Sequence, residues 1–312
     1  MNTPLVSVII PNYNHARYLD ERIQSVLNQT YQNFELIILD DKSTDNSLEV
    51  INKYRDNPHV SQIVVNEENS GSTFKQWHKG FELAKGELIW IAESDDKCEK
   101  EFLETLLRFF EQEPQCVLAY TRSILFRDSD GEVLNQHVNK DAELMLGTFF
   151  IAEKMACGNS IQNASSALFK KSVALNIDNQ YTEYKGAGDR LFWIEIAEHG
   201  YVGIDYHQLN YFRIHENNST KRYFYDGINQ KEDLRILNYI YTKGYISKKQ
   251  YKWAKRRYAQ WVIFSDRLSR EKKKEIINLW GLGISDRLFL IYYNFLEIVA
   301  YKFKRIKSKV QR

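Results

Sequence analysis

The chain has 312 residues, 43% hydrophobic and 27% charged, with 43 Lys and Arg against 41 Asp and Glu for a formal charge of +2. That length carries one large domain, or one domain with an appendage, around a sizeable core. With 4 Pro and 14 Gly, collagen-like and disordered classes are excluded, and the overall charge balance argues against a nucleic-acid or other polyanion binder.

The first hundred residues alternate regularly. Residues 5–10 form a continuous, β-branched apolar run, which predicts a buried strand. Leu19, Ile23, Val26 and Leu27 then recur at helical spacing. Residues 34–39 predict a second strand, and Ser43-Thr44-Asp45 offers helix N-caps before Leu48, Val50 and Ile51. Residues 60–65 predict a third strand, a helix follows Gly71, and residues 87–92 predict a fourth strand. Strand–helix alternation with short links implies an α/β fold on a mostly parallel sheet with right-handed crossovers.

Further on, residues 116–126 predict a strand, Asp130-Gly131 a turn, and residues 147–169 a mixture of loop and strand. Residues 189–199 predict a helix, and residues 201–206 and 209–214 two short strands. From about residue 220 the sequence is helical, basic and rich in Tyr and Trp. The polar run 217–222 is the expected boundary, giving a domain over 1–218 and a helical, basic region over 219–312.

Cys98, Cys116 and Cys157 are odd in number and widely spaced, so neither a disulfide framework nor a zinc site is expected, and a reducing compartment fits. The apolar run at the N-terminus is too short for a signal peptide, and no stretch of about 18 apolar residues occurs, so no ordinary transmembrane helix is expected.

In an open parallel sheet, ligands bind beyond the C-terminal strand ends. Three polar clusters fall there: Pro11-Asn-Tyr-Asn14, Asp40-Asp-Lys-Ser-Thr-Asp45 and Glu93-Ser-Asp-Asp96. Taken singly, the second reads as readily as a turn with a helix cap. The third holds three carboxylates in four residues, more than capping needs, and their repulsion asks for a cation or hydrogen-bond donors. No G-x-G-x-x-G follows the first strand, and neither a G-x-x-x-x-G-K-[ST] nor a G-x-S-x-G motif occurs. A Rossmann dinucleotide site, a P-loop and an α/β-hydrolase nucleophile are thereby set aside.

These clusters, with Ser25-Val-Leu-Asn-Gln-Thr-Tyr31, Gly188-Asp-Arg-Leu-Phe-Trp193 and Tyr211-Phe-Arg-Ile-His-Glu-Asn-Asn-Ser-Thr220, resemble in order and spacing a family 2 glycosyltransferase of inverting type with the GT-A fold. The resemblance runs over roughly residues 4–220 and implies a nucleotide-binding half to about residue 112 and an acceptor half over 113–218. It implies that Pro11, Tyr13, Asn14 and Asp41 hold the nucleotide base: an Asp accepts the imide N–H of uracil and a Tyr packs against the ring. The family's D-x-D motif matches Glu93-Ser94-Asp95. Asp95 is thereby the ligand of a divalent metal, Mg²⁺ or Mn²⁺, that bridges the donor diphosphate, and Glu93 and Ser94 lie against the nucleotide. Glu93 is one methylene longer than the usual Asp.

Asp189 matches the catalytic base that deprotonates the acceptor hydroxyl, with direct displacement inverting the anomeric centre; its bland reading is a helix N-cap. Gly188 stands where the family carries Glu, a change expected to widen the acceptor side. His215 matches a residue that reaches the metal or diphosphate in several relatives, or else is structural. Arg213 pairs with a phosphate or with a carboxylate. Asp96 supports the site from behind or caps the helix around residues 102–110. Asp40 lies beside the nucleotide residues, and Asn163 lies in a Ser/Asn-rich loop on the acceptor side. Lys42 replaces the family's usual Gly.

The +2 divides unevenly. Residues 219–312 hold 23 Lys and Arg against 8 Asp and Glu, a net of +15, leaving −13 on residues 1–218. Residues 288–301 are mostly apolar, broken by Asn294 and Glu297, and a basic run over 302–309 follows. Residues 285–312 therefore suit a helix lying on an anionic membrane surface, or one packed on the catalytic domain or in a dimer. The expected function is transfer of a sugar, from a UDP-sugar for preference, to a glycan or lipid-linked acceptor in surface polysaccharide or lipopolysaccharide assembly. The expected place is cytoplasmic, peripheral at the inner membrane face. The rivals are a sugar-phosphate nucleotidyltransferase, which would want a Gly-rich basic loop after the first strand, and an inactive binding module, kept open by Glu93 and Gly188.

Overall fold

A computed structural model describes residues 3–135, 140–215 and 223–283, together with 286, 288, 289 and 292. The chain divides into two compact units, residues 1–155 with 159–218, and residues 156–158 with 219–312.

The first unit opens with β1 (Val6–Asn12), α1 (Ala16–Leu27), β2 (Phe34–Asp40), α2 (Ser47–Asn52), β3 (Val60–Val65), α3 (Thr73–Leu83) and β4 (Leu88–Ile91). Every residue of β1, β2 and β4 is buried. Helices cover both faces of such a sheet, so its strands read as unbroken apolar runs and not as alternating ones. The unit continues through β5 (Lys97–Cys98), α4 (Phe102–Gln112), β6 (Cys116–Arg127), β7 (Glu143–Leu146), α5 (Gly147–Phe150), β8 (Ala167–Lys170), α6 (Lys171–Ala174), α7 (Gly188–Ala197) and β9 (Tyr201–Ile214).

Among the described residues these strands form one nine-stranded sheet in the order β3-β2-β1-β4-β8-β6-β9-β5, with β7 also paired to β9. β3, β2, β1 and β4 are mutually parallel, while β8 runs antiparallel to β4 and β6. The chain leaves β1 on one side for β2 and β3 and returns on the other as β4. A crevice therefore opens at the C-terminal end of β1. Register fixes what lines it: Asn12 pairs with Asp40, and Ile9 with Ile91, so Glu93 stands level with Pro11.

One core layer packs Leu19, Ile23 and Val26 of α1 and Phe102, Leu103 and Leu106 of α4 under the sheet, with the Trp90 and Phe102 rings tilted against each other at 4.7 Å. Each such side chain, fully buried, contributes about 1.5–3 kcal/mol. The opposite layer is aromatic: Phe81, Phe169, Phe192 and Trp193 meet at centroid distances of 4.8–5.6 Å.

Three expectations change. The N-cap of α2 is Asn46, not a residue of 43–45; Asp45 instead accepts the Ser47 N–H at 3.0 Å. Residues 147–169 hold the short helix α5, a π-helical turn Ile151–Met155 and a 3₁₀ turn Ala164–Ser166, with a strand only from Ala167. The two short strands expected over 201–214 are one, β9. Thr121 pairs with Asp205 and the next residue, Arg122, with Gln208, so Tyr206 and His207 form a bulge that the ladder passes over without ending.

The second unit carries α8 (Ile228–Thr242), α9 (Lys248–Phe264) and α10 (Arg270–Leu279). α9 begins in a capping box: Ser247 Oγ accepts the Gln250 N–H, and Gln250 Oε1 accepts the Ser247 N–H at 2.9 Å. Among the described residues no helix is long and apolar enough to cross a membrane. The expected boundary run 217–222 and most of the expected interfacial helix over 285–312 lie outside the described residues.

Candidate functional site

Three loops build the crevice. The first two, after β1 and β2, are laced together. Asn14, at φ 57°, uses its side-chain oxygen to accept the Thr44 N–H at 2.7 Å, and its own N–H donates to Ser43 Oγ at 2.9 Å. Asp40 is fully buried and accepts from Asn12 Nδ2 and the Ser43 N–H, each at 2.8 Å. Both residues therefore set loop geometry. Pro11 is buried inside β1, which leaves Tyr13, 46% exposed, as the member of this loop free to stack on a flat ring. Lys42 sits at φ 64°, the left-handed region that favours glycine, which accounts for Gly as the usual residue there.

Asp41 is buried and organises the segment after β3. Its Oδ1 accepts from Asn66 Nδ2 at 2.6 Å, the Ser70 N–H at 2.9 Å and Gln76 Nε2 at 3.0 Å. Oδ2 accepts from Ser70 Oγ alone among these, at 2.8 Å, and keeps acceptor capacity for a further N–H.

The third loop follows β4. Glu93 accepts from Trp77 Nε1 at 2.8 Å, and burial together with the neighbouring Asp95 charge pushes its carboxyl up to about 8. Ser94 is buried, and its hydroxyl lies 2.8 Å from His15 Nδ1. Its hydroxyl is thereby engaged with that imidazole. Asp95 faces His215 Nε2 at 3.0 Å. Burial pulls its carboxyl up, but the His215 hydrogen bond and the two nearby imidazoles outweigh that and hold it below the usual range. Burial lowers the His15 imidazole against the opposing pull of Asp95.

His15, Asp95 and His215 form the one group of three or more metal-ligating side chains among the described residues, with their ligand atoms within 4.8 Å of one another. Two imidazoles and a carboxylate fit a divalent metal, and this mixed set suits Mn²⁺ better than Mg²⁺, which prefers oxygen ligands alone. His15 escaped sequence reasoning. Its signal was position: it directly follows the loop after β1, at the N-cap of α1, with no side-chain capping bond.

Asp96 and Arg213 each take one of the two places expected of them. Asp96 does not cap α4, whose N-cap is Glu101. It is buried, accepting from Ser165 Oγ at 2.6 Å, from Asn163 Nδ2 and from the Arg213 N–H at 3.1 Å, and burial and Asp95 push it up to about 7. Asn163 is therefore an internal support, not an acceptor contact; its Oδ1 also receives Asn210 Nδ2 at 3.0 Å. Arg213 is buried against carboxylates, not a phosphate. It pairs with Asp128 at 2.7 Å and with Glu21, donates to the Asp95 carbonyl at 2.7 Å, and lies 4.6 Å over the Tyr18 ring. This ties the start of the Asp95 loop to the end of β9 and holds His215, two residues on, in place.

Asp189 lies in the first turn of α7, whose N-cap is Ala187, and its Oδ2 accepts from Asn159 Nδ2 at 2.8 Å. A Cβ on Gly188 would stand 2.5 Å from the Tyr181 carbonyl and 2.6 Å from Phe74 Cε2. The space is filled, so this glycine does not widen anything: Phe74 and Tyr181 close it.

The family profile described as Glycosyl transferase family 2 matches residues 7–177. A putative teichuronic acid biosynthesis glycosyltransferase of Bacillus subtilis, TuaG, is 36% identical over 141 residues, which are 45% of this chain and 55% of that protein. The chain thus spans little more than half the length of that relative. Staphylococcus aureus TarS 1–349, solved in complex with UDP-GlcNAc, matches with a TM-score of 0.56 at 20% identity, over 88% of this chain and 71% of that one. The mannosyltransferase PcManGT of Pyrobaculum calidifontis, solved with GDP-Man and Mn²⁺, matches with a TM-score of 0.55 at 16% identity, over 96% and 87%. At such identities the likeness is one of fold, the GT-A fold.

Proposed function

The chain belongs to glycosyl transferase family 2, and on that premise we propose that it is an inverting glycosyltransferase that moves a sugar from a UDP-sugar to a hydroxyl of a glycan or lipid-linked acceptor in surface polysaccharide assembly. The observation that carries this reading is the convergence of His15, Asp95 and His215 at the C-terminal edge of the parallel strands. Tyr13 stacks on the base, and Asp41 Oδ2 accepts its imide N–H. His15, Asp95 and His215 would hold Mn²⁺, which would supply positive charge to offset that on the departing diphosphate. Asp189, oriented by Asn159, accepts the proton of the attacking hydroxyl. Glu93 is held beside Asp95 by Trp77 Nε1 at 2.8 Å. The basic region 219–312 supports a peripheral position at the inner face of the cytoplasmic membrane.

The test is to incubate the protein with UDP- and GDP-sugars, Mn²⁺ and acceptor extracts and to measure nucleoside diphosphate release. Metal-dependent release with one donor is the expected result. No release under any combination would favour a non-catalytic binding module. Pyrophosphate release from a nucleoside triphosphate and a sugar phosphate would overturn the reading in favour of a nucleotidyltransferase.

A further inference from the structure

Within the second unit, α9 exposes an unusual face. Trp253, Trp261 and Phe264 are 49%, 55% and 45% exposed, and Arg257 stands between the indoles with its guanidinium 6.0 Å from the Trp253 ring. Spacings of four, four and three residues put all four side chains on one side of the helix, over about 16 Å. The other side is buried through Ala254, Tyr258 and Val262. Trp261 lies against Gly158 and edge-on to Tyr258 at 5.7 Å, but about half of each aromatic side chain on this face stays exposed. α9 carries six Lys and Arg and no Asp or Glu.

We propose that the Trp253–Arg257–Trp261–Phe264 face of α9 seats on an anionic lipid surface, with the two indoles in the headgroup layer. Indole is apolar in body with one N–H donor, and tryptophan concentrates at the membrane–water interface for that reason. Flanking Lys and Arg lay their apolar stems along the surface and offer their charges to lipid phosphates. The charge pattern excludes the obvious alternatives. A second copy of this face would set Lys249 and Arg257 against their like, while Lys252 and Arg256 turn to Asp286. A sugar chain would want a concave site with carboxylates or carboxamides, and this is the convex side of one helix. The proposal deepens the reading of residues 219–312 as facing an anionic surface, but runs the contact through α9 and not through residues 285–312 alone.

The chain has six tryptophans, and Trp77, Trp90, Trp193 and Trp280 are buried. Quenching by brominated acyl chains therefore reads Trp253 and Trp261. The full chain is mixed with phosphatidylcholine vesicles with and without phosphatidylglycerol, both brominated, and followed by fluorescence and sedimentation. Quenching and co-sedimentation on the anionic vesicles, relieved by salt, are expected. The Trp253→Ser, Trp261→Ser double variant is expected to melt normally and bind about tenfold more weakly or worse. Co-sedimentation without quenching, equal binding by the double variant, or no binding would each overturn the proposal. So would a concentration-dependent dimer that the double variant loses. Nucleoside diphosphate release onto a soluble acceptor is measured in parallel, so that failure of the transferase reading is seen separately from failure of the lipid contact.

Discussion

His215 Nε2 stands 3.0 Å from Asp95 Oδ2, joining the residue after β9 to the loop after β4 across 120 positions of chain. With His15 beside them, one carboxylate faces two imidazoles, each donor reached from a different part of the fold. Asp95→Asn is expected to abolish Mn²⁺-dependent binding of UDP, and His15→Ala and His215→Ala to weaken Mn²⁺ binding by about 10–100-fold each. Mn²⁺ is expected to outperform Mg²⁺ in the unaltered chain. Calorimetric titration of Mn²⁺ in the presence of UDP checks all four proteins. Equal affinities throughout would show that these three side chains are not the ligand set.

Asp189 is separable from that cluster. Its carboxylate is held by Asn159. Asp189→Asn keeps the shape of the side chain and removes its basicity, so transfer is expected to fall by about 10²–10⁴ while donor binding stays unchanged. Asn159→Ala is expected to lower transfer by a smaller factor. Steady-state rates set beside donor affinity make the comparison, and wild-type transfer by Asp189→Asn would remove it from the role of base.

Gly188 tests packing. Because a Cβ there meets a backbone carbonyl and the Phe74 ring, Gly188→Ala is expected to cost about 1–3 kcal/mol, and Gly188→Glu more. Urea unfolding measures this. A Gly188→Ala, Phe74→Leu pair that regains stability would identify the ring as the obstacle; no loss in Gly188→Ala would mean that the loop holding Tyr181 gives way freely.

At the opposite end of the sheet, buried Glu35 accepts from Ser7 Oγ at 2.7 Å and from the Lys85 N–H at 2.6 Å. Burial alone would raise its carboxyl, but these donors hold it below the usual carboxylate range. A lowered folded-state value stabilises the protein above the unfolded value, near 4.3, and that stabilisation is lost as pH falls through the folded value. Glu35→Gln is expected to be less stable by about 1–2 kcal/mol at pH 7, with the gap closing as pH falls below the unfolded value. Unfolding midpoints across that range decide it, and a gap independent of pH would show that the charge is not what matters.

Local sequence was a good guide wherever one element sufficed. β1, β2 and β4 are buried on both faces, and their unbroken apolar runs announced this. Parallel alternation then placed Tyr13, Asp41 and Glu93–Asp96 on one edge. His215 and Asp189 came from the resemblance of the motifs, which also singled out Asp95 within its carboxylate cluster.

What the sequence could not decide was which polar side chains face a ligand and which face one another. Asp96, Asn163 and Arg213 look like surface residues in a list, yet they are buried partners that brace the Asp95 loop against β9. Gly188 looks like an opening and is a filled space. His15 looks like a loop residue and stands beside Asp95 only because β1 and β4 are neighbours and β9 returns to them. Periodicity and composition report how one segment meets water, and so they determined the strands, the helices and the division of charge between residues 1–218 and 219–312. The meeting of His15 with Asp95 and His215, and the bracing around them, depend on groups up to 120 positions apart whose approach costs chain entropy and is repaid only by the assembled sheet, so the tertiary structure decided them.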